Sequence, residues 1–347
     1  MSFFRTKPKP CDFLAIGDCV VDVFLTIEEA SVACELKREA CKLCLPYGEK
    51  VPLKSITKIA GAGNASNVAI GASRLGWQSA IYSIVGNDGN GQEIQAIWKR
   101  ERVHTDLIQI DPIHETNYHT VLHFQDERTI LIYHQPRQYA LPTLPETRWV
   151  YYTSLGKGHE RLESQFLHYL KRHPEIQLVF QPGTFQLRRG RKAITPVIGR
   201  TTIFAVNKEE AQRLLETDTN SFTELTKGFH HLGTKIVVIT DGSNGSYAID
   251  GKTIWFCPIF PGHVVERTGA GDSYTLGFTY GYDQTGSIAE AMRYGTANSW
   301  SVVQQIGPHA GLLSARSLRQ TLKKFSTITA SEHKELALKK RVMKKKS

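Results

Sequence analysis

The run VVERTGAGDSYTLGFTYGY, from Val264 to Tyr282, places Gly269, Ala270 and Gly271 directly ahead of one carboxylate, Asp272, and then turns apolar. Small residues at the mouth of a helix leave its unpaired N–H groups, and the positive end of its dipole, open to an anion. Glycine also reaches φ > 0, which can turn successive N–H groups into one concavity. An acid in the first turn stands beside that hole and can take a proton. These are the parts phosphoryl transfer needs: positioning, neutralisation of the equatorial oxygens, and an acceptor for a hydroxyl proton. On this reading Gly269, Ala270 and Gly271 form an anion hole and Asp272 is the base. The dipole should keep Asp272 ionised and weakly basic, which suffices when the alcohol acidifies only as its bond to phosphorus forms. Taken alone, GAGD is equally a glycine turn whose Asp merely caps a helix.

Other phosphate-binding patterns are missing. The chain has no GxxxxGK[ST] and no HRD or DFG set, and GAGNAS (Gly61–Ser66) falls short of GxGxxG with no clear strand before it.

The elements that must position the turn follow a strand-then-helix rhythm. CDFLAIGDCVVDVFLTI reads as a β-branched strand running into a second extended piece. NASNVAIGASRLGWQ carries Val68, Ala69, Ala72 and Leu75 at helical spacing with Gly76 as its stop, and SAIYSIVG is a short buried strand before the helical NGQEIQAIWKRERV. RWVYYTSLG, IQLVFQPG, TIFAVNKEEAQRLL and KIVVITDGSNGSYAIDG continue the rhythm up to TGAGD. Repeated βα units imply a mostly parallel sheet covered by helices on both faces, a three-layer αβα fold. Two extended stretches, about 23–59 and 116–134, break the pattern, the second as the hairpin TNYHTVLHFQDERTILIYH. They are expected to form a small β-sheet lid inserted in one α/β domain over 1–325, with 326–347 as a basic tail.

Composition sets the outer bounds. With 347 residues, 41% hydrophobic and 22% charged, the chain can bury a large core. No apolar run approaches the roughly 18–20 residues of a membrane span, and MSFFRTKPKPCDF lacks the order of a signal peptide, so the cytoplasm is the expected location. The six cysteines are expected to be reduced thiols; Cys41 and Cys44 form a CxxC, but no second CxxC or HxxxH completes a zinc site. Half of the net charge of +10 sits in EHKELALKKRVMKKKS, which argues against a nucleic-acid-binding body and for a solvated tail.

Several ordered motifs resemble the PfkB-type carbohydrate kinases, the ribokinase-like family, from about Asp12 to about Leu318. TGAGD resembles the signature whose Asp is the base and whose glycine amides form the anion hole. GAGNASNVAIGASRLG resembles the sugar-binding signature, which implies that Gly63 and Asn67 hold substrate. IGDCVVD resembles the opening strand that offers an Asp to sugar hydroxyls, best matched by Asp22 with Asp18 as a rival, and GNDGNG resembles a family turn. VNKEEA resembles the NxxE motif, placing Asn207 and Glu210 in a Mg²⁺ and phosphate network, with Glu210 acting on the metal through water. VITDGSNGSYAI implies Thr240, Gly242 and Gly245 beside ATP, and Asn298 with the later GPHAG falls where relatives line the adenine pocket.

The resemblance implies an ATP- and Mg²⁺-dependent kinase for a sugar or sugar-like alcohol, and a homodimer joined through the lid. Three departures stand out. Glu266 replaces the usual Asp of a monovalent-cation loop, which puts K⁺ activation in question; Ala62-Gly63 replaces a Gly-Gly pair; Gln181 replaces an Asn. A nucleoside kinase, with Tyr118, Phe124 or Tyr133 stacking on a base, is the first alternative; an idle relative using its basic tail is the second.

Overall fold

A computed structural model describes residues 8–34, 41–125 and 127–333. The first half of the chain forms β1 (Cys11–Ile16), β2 (Val20–Ile27), a hairpin of β3 (Ser31–Cys34) and β4 (Cys41–Cys44), and β5 (Leu53–Ala62). It continues with α1 (Asn64–Arg74), β6 (Ser79–Tyr82), β7 (Ile84–Gly86), α2 (Gly89–Arg100), β8 (Gln109–Asp111), β9 (Tyr118–Phe124) and β10 (Glu127–Tyr133). Then follow β11 (Thr147–Tyr152), α3 (Glu160–Arg172), β12 (Gln177–Phe180), α4 (Thr184–Arg188), α5 (Gly190–Ile198), β13 (Ile203–Asn207), α6 (Lys208–Leu215), α7 (Phe222–His230) and β14 (Ile236–Thr240). The chain closes with β15 (Ser246–Ile249), β16 (Ile254–Cys257), α8 (Ala270–Thr285), α9 (Ile288–Val302), α10 (Ala315–Lys324) and β17 (Ser331–Glu332).

Nine strands make the central sheet in the order β17-β16-β15-β14-β13-β12-β11-β1-β6. From β14 to β6 every neighbour is parallel, whereas β15, β16 and β17 add an antiparallel edge. Alternation along the buried strands splits the core in two. Phe13, Ala15, Tyr151, Val179, Ala205 and Val238 pack on one face with residues of α1, α8 and α9. Leu14, Ile16, Tyr152, Phe180, Phe204 and Ile239 pack on the other with α3, α5 and α7. This is the expected three-layer αβα arrangement, and no helix among the described residues is long and apolar enough to cross a membrane.

A second sheet, β10-β9-β2-β5, stands apart as the lid. Its centre is β2, antiparallel to β5 and parallel to β9, so the strand that leaves the main sheet after β1 carries Asp22 into the middle of the lid.

Two expectations change. Cys34 and Cys41 are directly opposite in the β3–β4 ladder and form a disulfide, so they are not free thiols. Cross-strand register, which their spacing does not disclose, brings them together; Cys11, Cys19, Cys44 and Cys257 are free. The segment expected to be tail also begins later than 326, because Ser331 and Glu332 pair with Phe256 and Trp255 at the sheet edge. The lysine-rich remainder lies outside the described residues.

Candidate active site

Asp272 lies in the first turn of α8 and is 5% exposed. Three side-chain amides from separate elements grip it. Asn64 donates to Oδ1 at 2.7 Å, Asn67 to Oδ2 at 2.7 Å and Gln181 to Oδ1 at 2.9 Å. Asn64 and Asn67 can do so together because they are one turn apart on the same face of α1. Gln181 comes from the loop after β12, and its own Oε1 accepts the Tyr151 hydroxyl. Loss of water dominates the electrostatics. Burial pushes the Asp272 carboxyl above the usual range, while Asn67, Asn64 and Gln181 pull it back. The dipole argument from sequence therefore misjudged the balance: desolvation wins, and Asp272 is a stronger base than a helix-start acid would be.

A pH prediction follows. On the reading of Asp272 as base, it must be ionised, so activity should be lost as pH falls through its raised pKa. Asn64→Ala removes a donor that favours the ionised form, so the acid limb of the kcat/KM profile should move to higher pH. An unmoved acid limb in that variant would detach the profile from Asp272.

Gly269 caps α8 in the left-handed region at φ 79°, and a Cβ built there would lie 2.5 Å from Pro308 Cβ. Ala270 is half-buried, with its N–H donating to the Arg267 carbonyl at 3.2 Å, and Gly271 is exposed at the helix mouth. Ahead of them, Glu266 organises the approach by accepting from Thr268 N–H at 2.8 Å and Thr268 Oγ1 at 2.7 Å. Arg128 of the lid strand β10 brings its Nε to 3.9 Å from the same carboxylate.

On the lid side, Gly63 caps α1 at φ 99°, and a Cβ there would meet the Asp18 carbonyl at 2.9 Å. Asp22 is 5% exposed and close enough for its charge to oppose ionisation of Asp272. Sequence reading placed His309 only as part of GPHAG, expected near the adenine pocket. Its Nε2 lies 3.0 Å from Asn67 Oδ1, and burial, with Arg74 nearby, pushes its pKa down to about 4. A neutral ring with its proton on Nε2 donates to Asn67 and leaves the Asn67 amide nitrogen aimed at Asp272. GPHAG thus packs beside the helix mouth and Asn67, with Pro308 against Gly269.

The residues expected on the nucleotide side gather at one end of the sheet. Register places Asn207 beside Thr240 at the ends of β13 and β14. Asn207 and Glu210 form a reciprocal cap on α6, Asn207 Oδ1 accepting from Glu210 N–H at 2.8 Å and Glu210 Oε2 from Asn207 N–H at 3.0 Å. Burial raises the Glu210 pKa, and the charge of Asp272 contributes in the same direction. Gly242 and Gly245 both have positive φ, 53° and 105°, in the turn between β14 and β15. Asn298 is engaged within the protein. It is 1% exposed, donates to the Ser273 carbonyl at 2.8 Å and accepts from Leu313 N–H at 3.2 Å, so its amide is used in tying α8 to α9.

For the magnesium ion, no cluster of three or more His, Cys, Asp or Glu among the described residues is arranged to hold a metal. What fits is a carboxylate acting through water: one Glu210 oxygen is taken by the helix cap, and the residue is half-buried near Asp272.

Comparisons with known proteins identify the family. The model of the pfkB family carbohydrate kinases matches residues 24–315, and the chain belongs to that family. A 5-dehydro-2-deoxygluconokinase of Bacillus thuringiensis is 28% identical over 323 residues, covering 86% of this chain and 91% of that protein. Among solved structures, the ribokinase of Arabidopsis thaliana complexed with ribose and ATP superposes with a TM-score of 0.72 at 20% identity, covering 90% of this chain and 99% of the other. A nucleoside kinase of Methanocaldococcus jannaschii, an archaeal member of the ribokinase family, gives 0.72 at 19% identity, covering 91% and 99%. The chain is by family a carbohydrate kinase, a phosphotransferase with an alcohol group as acceptor, and kinases of its family use ATP.

Proposed function

We propose that the chain transfers the γ-phosphoryl group of ATP to a sugar hydroxyl, with Asp272 as base and the N–H groups of Gly269, Ala270 and Gly271 as anion hole. The observation that carries the reading is the desolvated Asp272 at the open mouth of α8, held in one orientation by Asn64, Asn67 and Gln181. A carboxylate fixed this way can point its remaining lone pairs at one position only, which is what a base for a positioned alcohol requires. Gly63, Asn67 and Asp22 bind the sugar under the lid. Asn207, Thr240, Gly242 and Gly245 receive the nucleotide, and Glu210 orients the waters of Mg²⁺, which would neutralise phosphate charge when bound.

A coupled assay of ADP release over ribose, fructose, 5-dehydro-2-deoxygluconate, 2-keto-3-deoxygluconate, fructose 1-phosphate and adenosine tests this. The expected result is Mg²⁺-dependent release that rises at least tenfold above the rate without acceptor for one or more of the sugars. Release stimulated by adenosine alone would replace the sugar with a nucleoside; no stimulation by any acceptor would remove the reading.

A further inference from the structure

His309 reaches Asp272 through one intervening amide. Its Nε2 stands 3.0 Å from Asn67 Oδ1, and the other end of that amide, Nδ2, donates to Asp272 Oδ2 at 2.7 Å. The half-buried ring is held in place from two directions. Arg74, seven residues after Asn67 and so on the same face of α1, donates to the His309 carbonyl at 2.5 Å. Its Nε and Nη2 are spent on Glu101, each at 2.9 Å. On the other side the preceding Pro308 lies against Gly269.

An amide offers a donor at one end and an acceptor at the other, so its two orientations demand opposite partners. With Nδ2 toward Asp272 the carboxylate is served in its ionised form, and Asn67 Oδ1 needs a donor. Turned over, Oδ1 would meet the carboxylate, and Asp272 would have to keep its proton. The ring selects between the two. Hydrogen on Nε2 donates to Oδ1 and favours the ionised acid, whereas a bare Nε2 accepts from Nδ2 and favours the protonated one. The Gly61 carbonyl is a second acceptor for the ring, and a neutral imidazole has one hydrogen for the two. Asn64 and Gln181 both donate to Asp272 Oδ1 and so favour ionisation, which settles the amide with Nδ2 toward the carboxylate and the hydrogen on Nε2.

The charges around this pair are few. Arg74, Glu101 and Arg100 face the ring; Asp22 and Glu210 face the carboxylate, and the Tyr151 hydroxyl reaches it through Gln181. Burial, with Arg74 beside the ring, holds the His309 pKa down at about 4. The ring is therefore a fixed neutral donor near neutral pH and does not titrate alongside Asp272.

We infer that His309 is a positioning residue for the base: its Nε2–H holds the Asn67 amide in the orientation that donates to Asp272, and so sets the pH above which the site works. This rests on the reading of Asp272 as base and adds the group that keeps that base ionised.

Two measurements on the full chain test it. In His309→Leu the donor is gone and Asn67 is free to turn. The acid limb of kcat/KM against pH should then move up by about 0.4–1 pH unit, the effect of one hydrogen bond to the ionised form. On the alkaline plateau kcat should stay within about threefold of wild type. His309→Gln, which carries an amide nitrogen in place of Nε2, should restore the wild-type limb. A merely structural role would lower kcat or stability and leave the limb where it is. An unmoved limb in His309→Leu, or an equal shift in both variants, would overturn the inference. The second measurement is the nitrogen-15 spectrum of the wild-type ring near pH 7, assigned through its backbone connectivity. Hydrogen on Nε2 is expected; hydrogen on Nδ1 would overturn the inference, and this result stands even if neither variant folds. Wild-type protein that phosphorylates no acceptor would fail the broader reading instead.

Discussion

Asp272→Asn is expected to lower kcat by roughly 10²- to 10⁴-fold, the range for loss of a positioned general base, while the ATP KM shifts by less than about threefold. The replacement is nearly isosteric and leaves Oδ1 to accept from Asn64 and Gln181. Its new amide, however, faces the Asn67 Nδ2 that Oδ2 now accepts, so two donors oppose each other there. Asn67 cannot turn over freely, because its Oδ1 accepts from His309. The sugar KM should therefore rise in Asp272→Asn as well, and Asp272→Ala, free of that conflict, separates the two effects. Steady-state kinetics with ATP binding measured by calorimetry checks both. An Asn variant retaining more than about a tenth of wild-type kcat would remove Asp272 from the role of base.

The helix starts that frame the site were legible where they are written in consecutive residues. TGAGD, VNKEEA and GAGNAS each place a helix mouth, and helix mouths are local events governed by small residues, caps and the dipole. The βα rhythm likewise disclosed the layers, because strands buried on both faces read as apolar runs such as KIVVIT. What the sequence hid depends on register and tertiary approach. Asp22 meets His119 only because β2 and β9 are parallel neighbours, and Cys34 meets Cys41 only because the β3–β4 ladder puts them opposite.

Burial was the other hidden quantity. The carboxyl of Asp272 was expected to follow the dipole of its own helix, whereas α1 and the loop after β12 close over it and desolvation decides. Asn298 shows a related limit. An amide inside a helix reads the same whether it faces a ligand or an adjacent helix, and here it faces the Ser273 carbonyl.

Gly269→Ala should reduce kcat by roughly 10²- to 10³-fold, the loss typical when one aligned donor of an anion hole is withdrawn. The residue sits at φ 79°, where a Cβ costs about 1–2 kcal/mol. The added carbon would also stand 2.5 Å from Pro308 Cβ and 3.0 Å from Pro308 Cα, so relief requires the turn to rotate and its N–H groups to swing off target. The strain is small against the stability of a domain this size, so the variant should fold and its loss should appear in kcat. Gly271→Ala is the matched control. Its Cβ would meet nothing nearer than Gln181 Nε2 at 3.6 Å, an ordinary contact, and Gly271 already has helical geometry. That variant should keep kcat within about tenfold of wild type. If the two alanines lowered kcat equally, crowding of the phosphate and not the orientation of the Gly269 turn would explain the loss. If neither lowered it, the mouth of α8 would not be where the phosphoryl group travels.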